Sequence, residues 1–144
     1  MEMAFNEHYH EVLDTIEQLF VHIFKGLATR YRTQLDVIKR QYPFEELVPT
    51  LPDGTVLRLQ WPDIVKLLRE NGLDTLTEDG HAMGDFEDVN TTQEKELGKV
   101  VKAKYGVDFY VVDKFPLSIR PFYTMPDPVD ARYSNSYDIF IRGQ

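Results

Sequence analysis

The feature that most constrains the fold is a short apolar run, FYVV at residues 109–112, which Asp113, Lys114 and Pro116 close. Apolar side chains follow one another here without the polar alternation that marks a half-exposed strand. A run of this kind is typical of a strand that is covered on both faces. The sequence therefore predicts a buried β-strand at this position.

Two further strands are predicted after this run. Residues 120–124 are a short candidate that ends at Met125-Pro126. Residues 136–142 alternate, so that one face carries Tyr137, Ile139 and Ile141 and the other carries Asp138, Phe140 and Arg142. Strands disfavour aspartate. A carboxylate at position 138 therefore indicates that the protein uses this side chain.

A long helix is predicted near the start of the chain, over residues 8–41. Apolar residues recur there at gaps of three and four, which is the period of a buried helical face. Additional apolar residues widen this face, so we expect it to be buried broadly. Gly26 lies mid-helix and indicates either a close packing contact or a bend. The periodic residues are Leu13, Ile16, Phe20, Phe24, Leu27, Tyr31, Leu35 and Ile38.

The remaining pattern predicts short strands at 2–5 and 56–59, a helix at 61–71 and a surface loop at 73–88. Residues 91–105 are the clearest helix, with Thr91 and Glu94 as a capping box and Gly106 as its end. Clustered strands without regular βαβ alternation indicate an α+β fold. We expect an antiparallel sheet flanked by helices, among them the one long N-terminal helix.

Composition excludes several classes of protein. The net charge is −8, whereas free-standing nucleic-acid binders usually carry a basic excess, so we do not expect this polypeptide to bind RNA by itself. It contains no cysteine, which excludes a disulfide framework and a thiolate metal site. No apolar run approaches the ~20 residues that cross a bilayer, and the N-terminus lacks a signal-peptide pattern. We expect a soluble, intracellular protein without a membrane partner.

Three blocks of the C-terminal half carry a resemblance to a known family. DFYVVDKFP, IRPFYTMPDP and YSNSYDIFIRG resemble the second half of the catalytic domain of eukaryotic cytoplasmic aspartyl-tRNA synthetases, in the family's order and at about its spacing. These are class II enzymes of the b subgroup. MEMAFNEHYHEVLD resembles the end of the family's second signature motif and the helix that follows. The likeness covers most of the chain and is thinnest between residues 43 and 83.

The resemblance implies roles for five residues. Asp138 matches a family carboxylate that binds ATP-bound magnesium. Amino-acid activation attacks the α-phosphate of ATP, and Mg²⁺, which takes hard oxygen ligands, neutralises the triphosphate. Glu2 matches a glutamate of the active-site sheet close to the substrate. Arg120, Phe122 and Tyr123 match a segment next to the aminoacyl site.

The same resemblance implies how the chain is organised. Residues 1–144 would be one partial catalytic domain, with a core of residues 1–42 and 91–144 and a more variable helical and loop insertion at 43–90. The parent enzyme would be a cytoplasmic homodimer that uses aspartate, ATP, Mg²⁺ and tRNA(Asp). The ATP-gripping arginine of the second motif and the Gly-rich third motif would lie outside these residues. We therefore expect the 144-residue polypeptide alone not to activate aspartate.

Three alternatives remain open from the sequence. Asp138 could serve only as the partner of a nearby arginine, for example Arg142. The chain could be a non-catalytic interaction module whose long helix binds a partner. It could also derive from the asparaginyl or the lysyl enzyme of the same subgroup, because the residues that select the amino acid would lie mainly outside this chain.

Overall fold

The computed structural model describes residues 2–144, which separate into two compact units, one ending at Pro49 and the other beginning at Thr50. The first unit contains helices α1 (His10–Arg30) and α2 (Arg32–Gln41). The second contains β1 (Leu57–Gln60), α3 (Trp61–Glu70), α4 (Thr91–Tyr105), β2 (Phe109–Asp113), a 3₁₀ helix (Leu117–Ile119) and β3 (Tyr137–Ile141). The α+β class predicted from the sequence is confirmed.

The long N-terminal helix is present as two consecutive helices, because Tyr31 (φ −114°, ψ 22°) leaves the helical region between them. Much of the predicted apolar face is exposed, including Leu19 and Leu27, whereas Leu13 is fully buried. The expected broad burial is therefore wrong for the exposed residues of this face, such as Leu19 and Leu27. Gly26 does not mark a close packing contact, since a Cβ there would meet nothing within 4 Å, and α1 continues through it.

The strand predicted at residues 2–5 is wrong, because the described residues 2–5 have no strand conformation. Within residues 2–144 the sheet consists of β1, β2 and β3 alone, and residues 2–5 are not part of it. The strand predicted at 120–124 is also wrong. That segment follows the 3₁₀ helix as an irregular turn, and Pro121 cannot donate a hydrogen bond to a ladder.

The sheet is mixed and not antiparallel throughout. β1 runs parallel to β2, with Leu57 opposite Tyr110, and β3 runs antiparallel to β2, with Asp138 opposite Val112. The chain passes from β1 to β2 through α3 and α4, and a helical crossover of this kind returns the chain in the same direction. The strands predicted at 56–59, 109–112 and 136–142 are confirmed with small shifts of their ends.

At α4 the predicted N-cap is wrong and the predicted end is confirmed. Asn90, not Thr91, is the N-cap: its side-chain oxygen accepts the Gln93 N–H at 2.9 Å, and the Gln93 side-chain oxygen accepts the Asn90 N–H at 3.0 Å. This is a reciprocal capping box one residue earlier than expected. Gly106 ends the helix as predicted, in the left-handed region at φ 76°.

The core lies in the second unit, between the sheet and the helices. Every residue of β2 is buried, as the apolar run predicts. α4 approaches the end of β3 closely, because a Cβ on Gly98 would lie 2.5 Å from the carbonyl carbon of Arg142. The buried cluster comprises Leu57, Leu59, Trp61, Ile64, Val65, Leu67, Leu68, Met83, Leu97, Val101, Val107, Tyr110, Val112, Phe115 and Phe140.

Segment 43–90, predicted as a more variable insertion, supplies β1 and α3 to this core. The subdivision into residues 1–42, 43–90 and 91–144 stays a prediction. In the part of the chain that the structure describes, no helix combines the length and apolarity that a bilayer crossing requires.

Candidate functional site

Asp138 lies on β3, which is an edge strand of the described sheet. Its Oδ2 lies 2.8 Å from Nη2 of Arg120, and 45% of its side chain is exposed. Among the described residues the carboxylate makes no other hydrogen bond or ion pair. One carboxylate oxygen thus faces a guanidinium, while the group as a whole remains half open to solvent.

The arginine beside Asp138 is therefore Arg120, and the predicted alternative partner, Arg142, is engaged elsewhere. Nε of Arg142 donates to Oδ1 of Asp108 at 3.0 Å, and Nζ of Lys102 donates to Oδ2 of the same carboxylate at 2.8 Å. Asp108 is buried and takes both cations. This separate cluster ties the end of α4 to the residue that follows β3.

Arg120 follows the 3₁₀ helix and stacks on a core aromatic. Its Cζ lies 3.7 Å from the centroid of the Phe115 ring, and that ring lies 4.8 Å from the ring of Trp61. Nε and Nη2 of Arg120 are shielded from solvent and form no aligned hydrogen bond with the described residues. The guanidinium is therefore largely buried, and its contact with Asp138 is an ion pair and not a well-aligned hydrogen bond.

Asp138 also interacts electrostatically with Glu94 on α4. Burial raises the pKa of the Glu94 carboxyl on α4, and the nearby carboxylates of Asp88 and Asp138 raise it further. The Tyr110 hydroxyl is buried without a hydrogen-bond partner in residues 2–144, and burial followed by the charge of Glu94 raises its pKa. Arg120 thus supplies a positive charge beside Asp138, one of the carboxylates that act on Glu94.

Metal binding at this position would depend on ligands from outside the described side chains. Within residues 2–144 no three or more His, Asp or Glu side chains are close enough together to hold a metal ion. Asp138 offers one carboxylate with an open side. Mg²⁺ is commonly held by one or two protein carboxylates, with phosphate oxygens and waters completing its shell.

Phe122 and Tyr123 lie at the tip of the loop between β2 and β3. They are 99% and 77% exposed, and their rings contact each other edge to face at 5.5 Å. The base of the loop is ordered by isolated bridges between Pro116 and Tyr133 and between Pro126 and Ser134. The structure therefore presents two aromatic rings to solvent from a well-connected base.

An ion pair at the base of this loop has low exposure. Nζ of Lys114 lies 3.2 Å from Oδ1 of Asp127, with side-chain exposures of 16% and 13%. The same Nζ donates to Oδ1 of Asn135 at 2.7 Å. These contacts join the end of β2 to both arms of the loop. Sequence reasoning missed them, because charged residues in a turn-rich segment gave no indication of partial burial.

The remaining predicted site residue, Glu2, lies in the first unit. It is exposed and has no regular secondary structure. The structure brings Arg120 and Asp138 into direct contact and leaves Phe122 and Tyr123 exposed on the following turn. The roles predicted for these five residues stay predictions at this stage.

A second titratable cluster, which sequence reasoning missed, lies in the loop before α4. Nδ1 of His81 contacts Oδ1 of Asp79, and Nε2 of His81 lies 2.8 Å from Oε2 of Glu87. These two carboxylates raise the pKa of His81 to about 8. Because they occupy opposite sides of the ring, the three groups do not converge on one point. The turn Asp79-Gly80-His81 was the available signal in the sequence.

The comparison with protein families covers the whole chain. A model described as tRNA synthetases class II (D, K and N) matches residues 1–144. The chain is 51% identical over 144 residues to a protein of Caenorhabditis elegans named aspartate–tRNA ligase, cytoplasmic, and the alignment takes in 100% of the chain and 25% of that protein. For the protein of the same name from Homo sapiens, the identity is 47% over 147 residues, with coverage of 100% and 26%.

Solved structures agree with these relatives. The aspartyl-tRNA synthetase from Entamoeba histolytica matches with a TM-score of 0.86 and 47% identity, over 99% of this chain and 27% of that one. The asparaginyl-tRNA synthetase of the same organism matches with a TM-score of 0.70 at 16% identity, over 95% and 28%, which is a likeness of fold. The chain spans about a quarter of the length of the relatives it matches.

Proposed function

This chain belongs to the class II tRNA synthetases of the D, K and N group, and from that premise we propose that it forms part of the catalytic domain of an aspartate–tRNA ligase. The observation that carries the amino-acid assignment is a contrast between structures. Identity is 47% to an aspartyl enzyme but 16% to an asparaginyl enzyme of the same organism. This contrast favours the aspartyl assignment over the asparaginyl alternative.

The proposed reaction has two steps and is carried out by the whole protein, as a cytoplasmic homodimer. A carboxylate oxygen of aspartate attacks the α-phosphorus of ATP, the bond to pyrophosphate breaks, and aspartyl-adenylate forms. A hydroxyl at the 3′ end of tRNA(Asp) then attacks the aspartyl carbonyl and releases AMP. Such chemistry depends mainly on positioning and on neutralising the phosphate charge.

We assign Asp138 to the magnesium ion that accompanies ATP. The half-exposed carboxylate fits this role, because Arg120 contacts one oxygen and the other makes no bond with a described residue. A single carboxylate also matches the usual demand of Mg²⁺ bound to a nucleotide. The ion would supply positive charge to the triphosphate, while this chain contributes a fixed oxygen ligand.

We assign Glu2, Phe122 and Tyr123 to the surroundings of the substrate. Exposed aromatic rings such as Phe122 and Tyr123 lose water-exposed apolar surface when a substrate or another part of the enzyme covers them. Arg120 also belongs to the site through its contact with Asp138. The assignment of Glu2 rests on the matching motif alone, and those of the other three residues rest also on the placement of their side chains.

An exchange experiment tests the proposal. In the exchange chimera, residues 1–144 replace the matching quarter of the Caenorhabditis elegans enzyme, where the alignment spans 144 residues. We expect aspartate-dependent ATP–pyrophosphate exchange and aspartylation of tRNA, with asparagine and lysine inactive. The same chimera with Asp138→Asn is the site control. A chimera that melts cooperatively like the parent enzyme but lacks activity would overturn the proposal.

The 144-residue polypeptide provides a second test. We expect no aspartate-dependent pyrophosphate exchange from it alone, because the relatives that carry the activity are about four times longer. Detectable turnover that disappears when aspartate is omitted would contradict this expectation. The exchange chimera, assayed at the same concentration, is the positive control.

One observation favours the alternative of an interaction module, namely the exposed apolar side chains of α1 and α2. Leu19, Ile23, Leu27 and Val37 are all exposed, and a surface of this kind is commonly a contact surface. A ligase assignment accounts for them as well, because the matching segment of the relatives lies within a much longer chain. Light scattering of the 144-residue polypeptide separates the two interpretations. A monomer at high concentration would argue against the interaction module.

A further inference from the structure

We propose that Arg120 is a positioning residue, whose guanidinium stacks on Phe115 and fixes one oxygen of Asp138 so that the other is presented to the cation. This inference rests on the proposed function, because it assumes that Asp138 is a ligand for the metal ion of ATP. It assigns Arg120 a role through another side chain and not through contact with the amino acid.

The first support is the rigidity of the platform beneath Arg120. Phe115 is 3% exposed and belongs to the hydrophobic core. Its ring contacts that of Trp61, which is 1% exposed. The guanidinium lies 3.7 Å above the Phe115 ring, a distance at which cation–π attraction and stacking hold its plane. The orientation of Arg120 is therefore set by the core.

The second support is electrostatic. Nε and Nη2 of Arg120 are shielded from solvent, and the guanidinium's ion pair is with Asp138. A poorly solvated cation is costly unless an anion lies beside it. The same contact offsets the repulsion between Asp138 and Glu94, whose pKa is raised first by burial and then by the charges of Asp88 and Asp138. Each member of the pair therefore restricts where the other can move.

The third support is the loop that connects the two residues. Its arms are joined by the bridge between Pro116 and Tyr133, and the backbone N–H of Leu117 donates to the Arg132 carbonyl at 2.8 Å. Lys114 and Asp127 add a partly buried ion pair at 3.2 Å. Arg120 is thus held relative to β3 by several contacts that do not involve Asp138.

Accessibility separates positioning from direct substrate binding. The two shielded nitrogens of Arg120 cannot donate to a substrate unless the side chain moves. The Asp138 carboxylate is 45% exposed, against 19% for Arg120. The acid is therefore the member of the pair that faces the solvent side, and the arginine supports it from within.

The experiment compares variants of the exchange chimera. Arg120→Gln removes the charge and the stacked fork, and Arg120→Lys keeps the charge without the planar fork. Arg132→Gln is the matched control, because Arg132 lies in the same loop, pairs with Asp130 at 2.6 Å and is 68% exposed. Asp138→Asn tests the ligand itself. Mn²⁺ binding with a non-hydrolysable ATP analogue is followed by electron paramagnetic resonance, and melting temperature reports folding.

We expect Arg120→Gln to weaken Mn²⁺ binding by roughly 10- to 100-fold, as is typical for residues that orient a metal ligand. Arg120→Lys should recover part of the loss, and Arg132→Gln should bind Mn²⁺ like the parent chimera. In pyrophosphate exchange, Arg120→Gln should raise the Mg²⁺ requirement with little change in KM for aspartate.

Different outcomes overturn different claims. Unchanged Mn²⁺ binding in Asp138→Asn would refute the assignment of Asp138, and with it the proposed metal role. Weaker binding in Asp138→Asn together with unchanged binding in a folded Arg120→Gln would refute positioning alone. A higher KM for aspartate with unchanged Mn²⁺ affinity would show that Arg120 contacts the substrate. If Arg120→Gln does not fold, Arg120→Lys decides, and parent-like binding by that variant would overturn the role of the planar fork.

Discussion

The two units of the chain use similar apolar content in opposite ways. In the first unit, α1 and α2 expose much of their apolar face, including Leu19, Ile23 and Leu27. In the second unit, all five residues of β2 are buried. Apolar periodicity therefore identifies the helix but does not determine what covers it. Burial in the second unit comes from pairings between residues far apart in sequence, which β1, β2 and β3 provide.

The largest expected difference is between two leucine truncations, one in each unit. Leu97 on α4 is 1% exposed and Leu27 on α1 is 42% exposed. Leu97→Ala should lower the free energy of unfolding by about 2–5 kcal/mol, because it leaves a cavity in a packed core. Leu27→Ala should change it by no more than about 0.5 kcal/mol.

Urea denaturation of the 144-residue chain measures both effects. The fluorescence of Trp61, the single tryptophan, reports the core of the second unit, where it is 1% exposed. Circular dichroism at 222 nm, the usual wavelength for helices, reports α1 and α2 as well. Equal losses for the two variants would show that the face of α1 is covered in solution, and the contrast between the units would fail.

Two helical glycines provide the next contrast. Gly98→Ala would place a Cβ 2.5 Å from backbone atoms of Arg142 and Gly143, where no flexible side chain can move aside. We expect a loss of about 1–3 kcal/mol from overpacking. Gly26→Ala meets nothing within 4 Å and should stabilise α1 by about 1 kcal/mol through helix propensity.

The stability of the two variants is measured by thermal unfolding and by amide hydrogen exchange in α1 and α4. The two changes are chemically identical and differ only in their surroundings, so each controls for the other. Opposite signs support the close approach of α4 to the residues after β3. A Gly98→Ala variant as stable as the parent would mean that this helix lies further from Arg142 than the structure indicates.

Local patterns predicted most of the second unit and failed where the outcome depended on partners. The apolar run at 109–112 identified β2, and alternation identified β3. Residues 120–124 have the aromatic content of a strand, yet they pair with no strand of the sheet that the described residues form. The helix break at Tyr31 carries neither Gly nor Pro, so the sequence offered no local signal for it.

The sequence marked Asp138 as a candidate site residue, but it did not predict which arginine lies beside it. An aspartate in an alternating strand is unusual enough to mark position 138 from the sequence alone. Arg142, close by in sequence, was the obvious partner, but Asp108 engages it. Arg120 reaches Asp138 because the loop between β2 and β3 folds back over Phe115. A contact of that kind depends on tertiary folding, which a single sequence does not reveal.

A smaller effect should separate two neighbouring residues at the start of α4. Asn90 accepts the Gln93 N–H at 2.9 Å, whereas Thr91, the predicted cap, is an exposed first-turn residue. Asn90→Ala should cost about 1 kcal/mol of unfolding free energy. Thr91→Ala should leave the unfolding free energy nearly unchanged. Urea denaturation, monitored by Trp61 fluorescence, measures both variants. A larger loss for Thr91→Ala would return the cap to the position that the sequence suggested.

The smallest effects are two pH dependences of opposite sign, one in each unit. Asp79 and Glu87 raise the pKa of His81 from 6.5 to about 8. The stabilisation from this cluster is therefore fully present below pH 6.5 and is lost as pH rises through about 8. Glu11 at the start of α1 accepts backbone N–H groups of Glu7, His8 and Asn6, which lower its pKa from 4.5. Its stabilisation is present above pH 4.5 and is lost as pH falls below that value.

NMR titration of the His81 ring and of the Glu11 carboxyl measures the two shifts directly. All of these groups are exposed, so urea midpoints should move only slightly, both as pH falls below 4.5 and as pH rises through about 8. His81→Gln should remove the alkaline part of that movement and leave the acid part, whereas Glu11→Gln should do the reverse. If His81 titrates near its ordinary value of 6.5, the two carboxylates do not hold the ring in solution. The loop before α4 would then resemble the exposed first unit more closely than the core beside it.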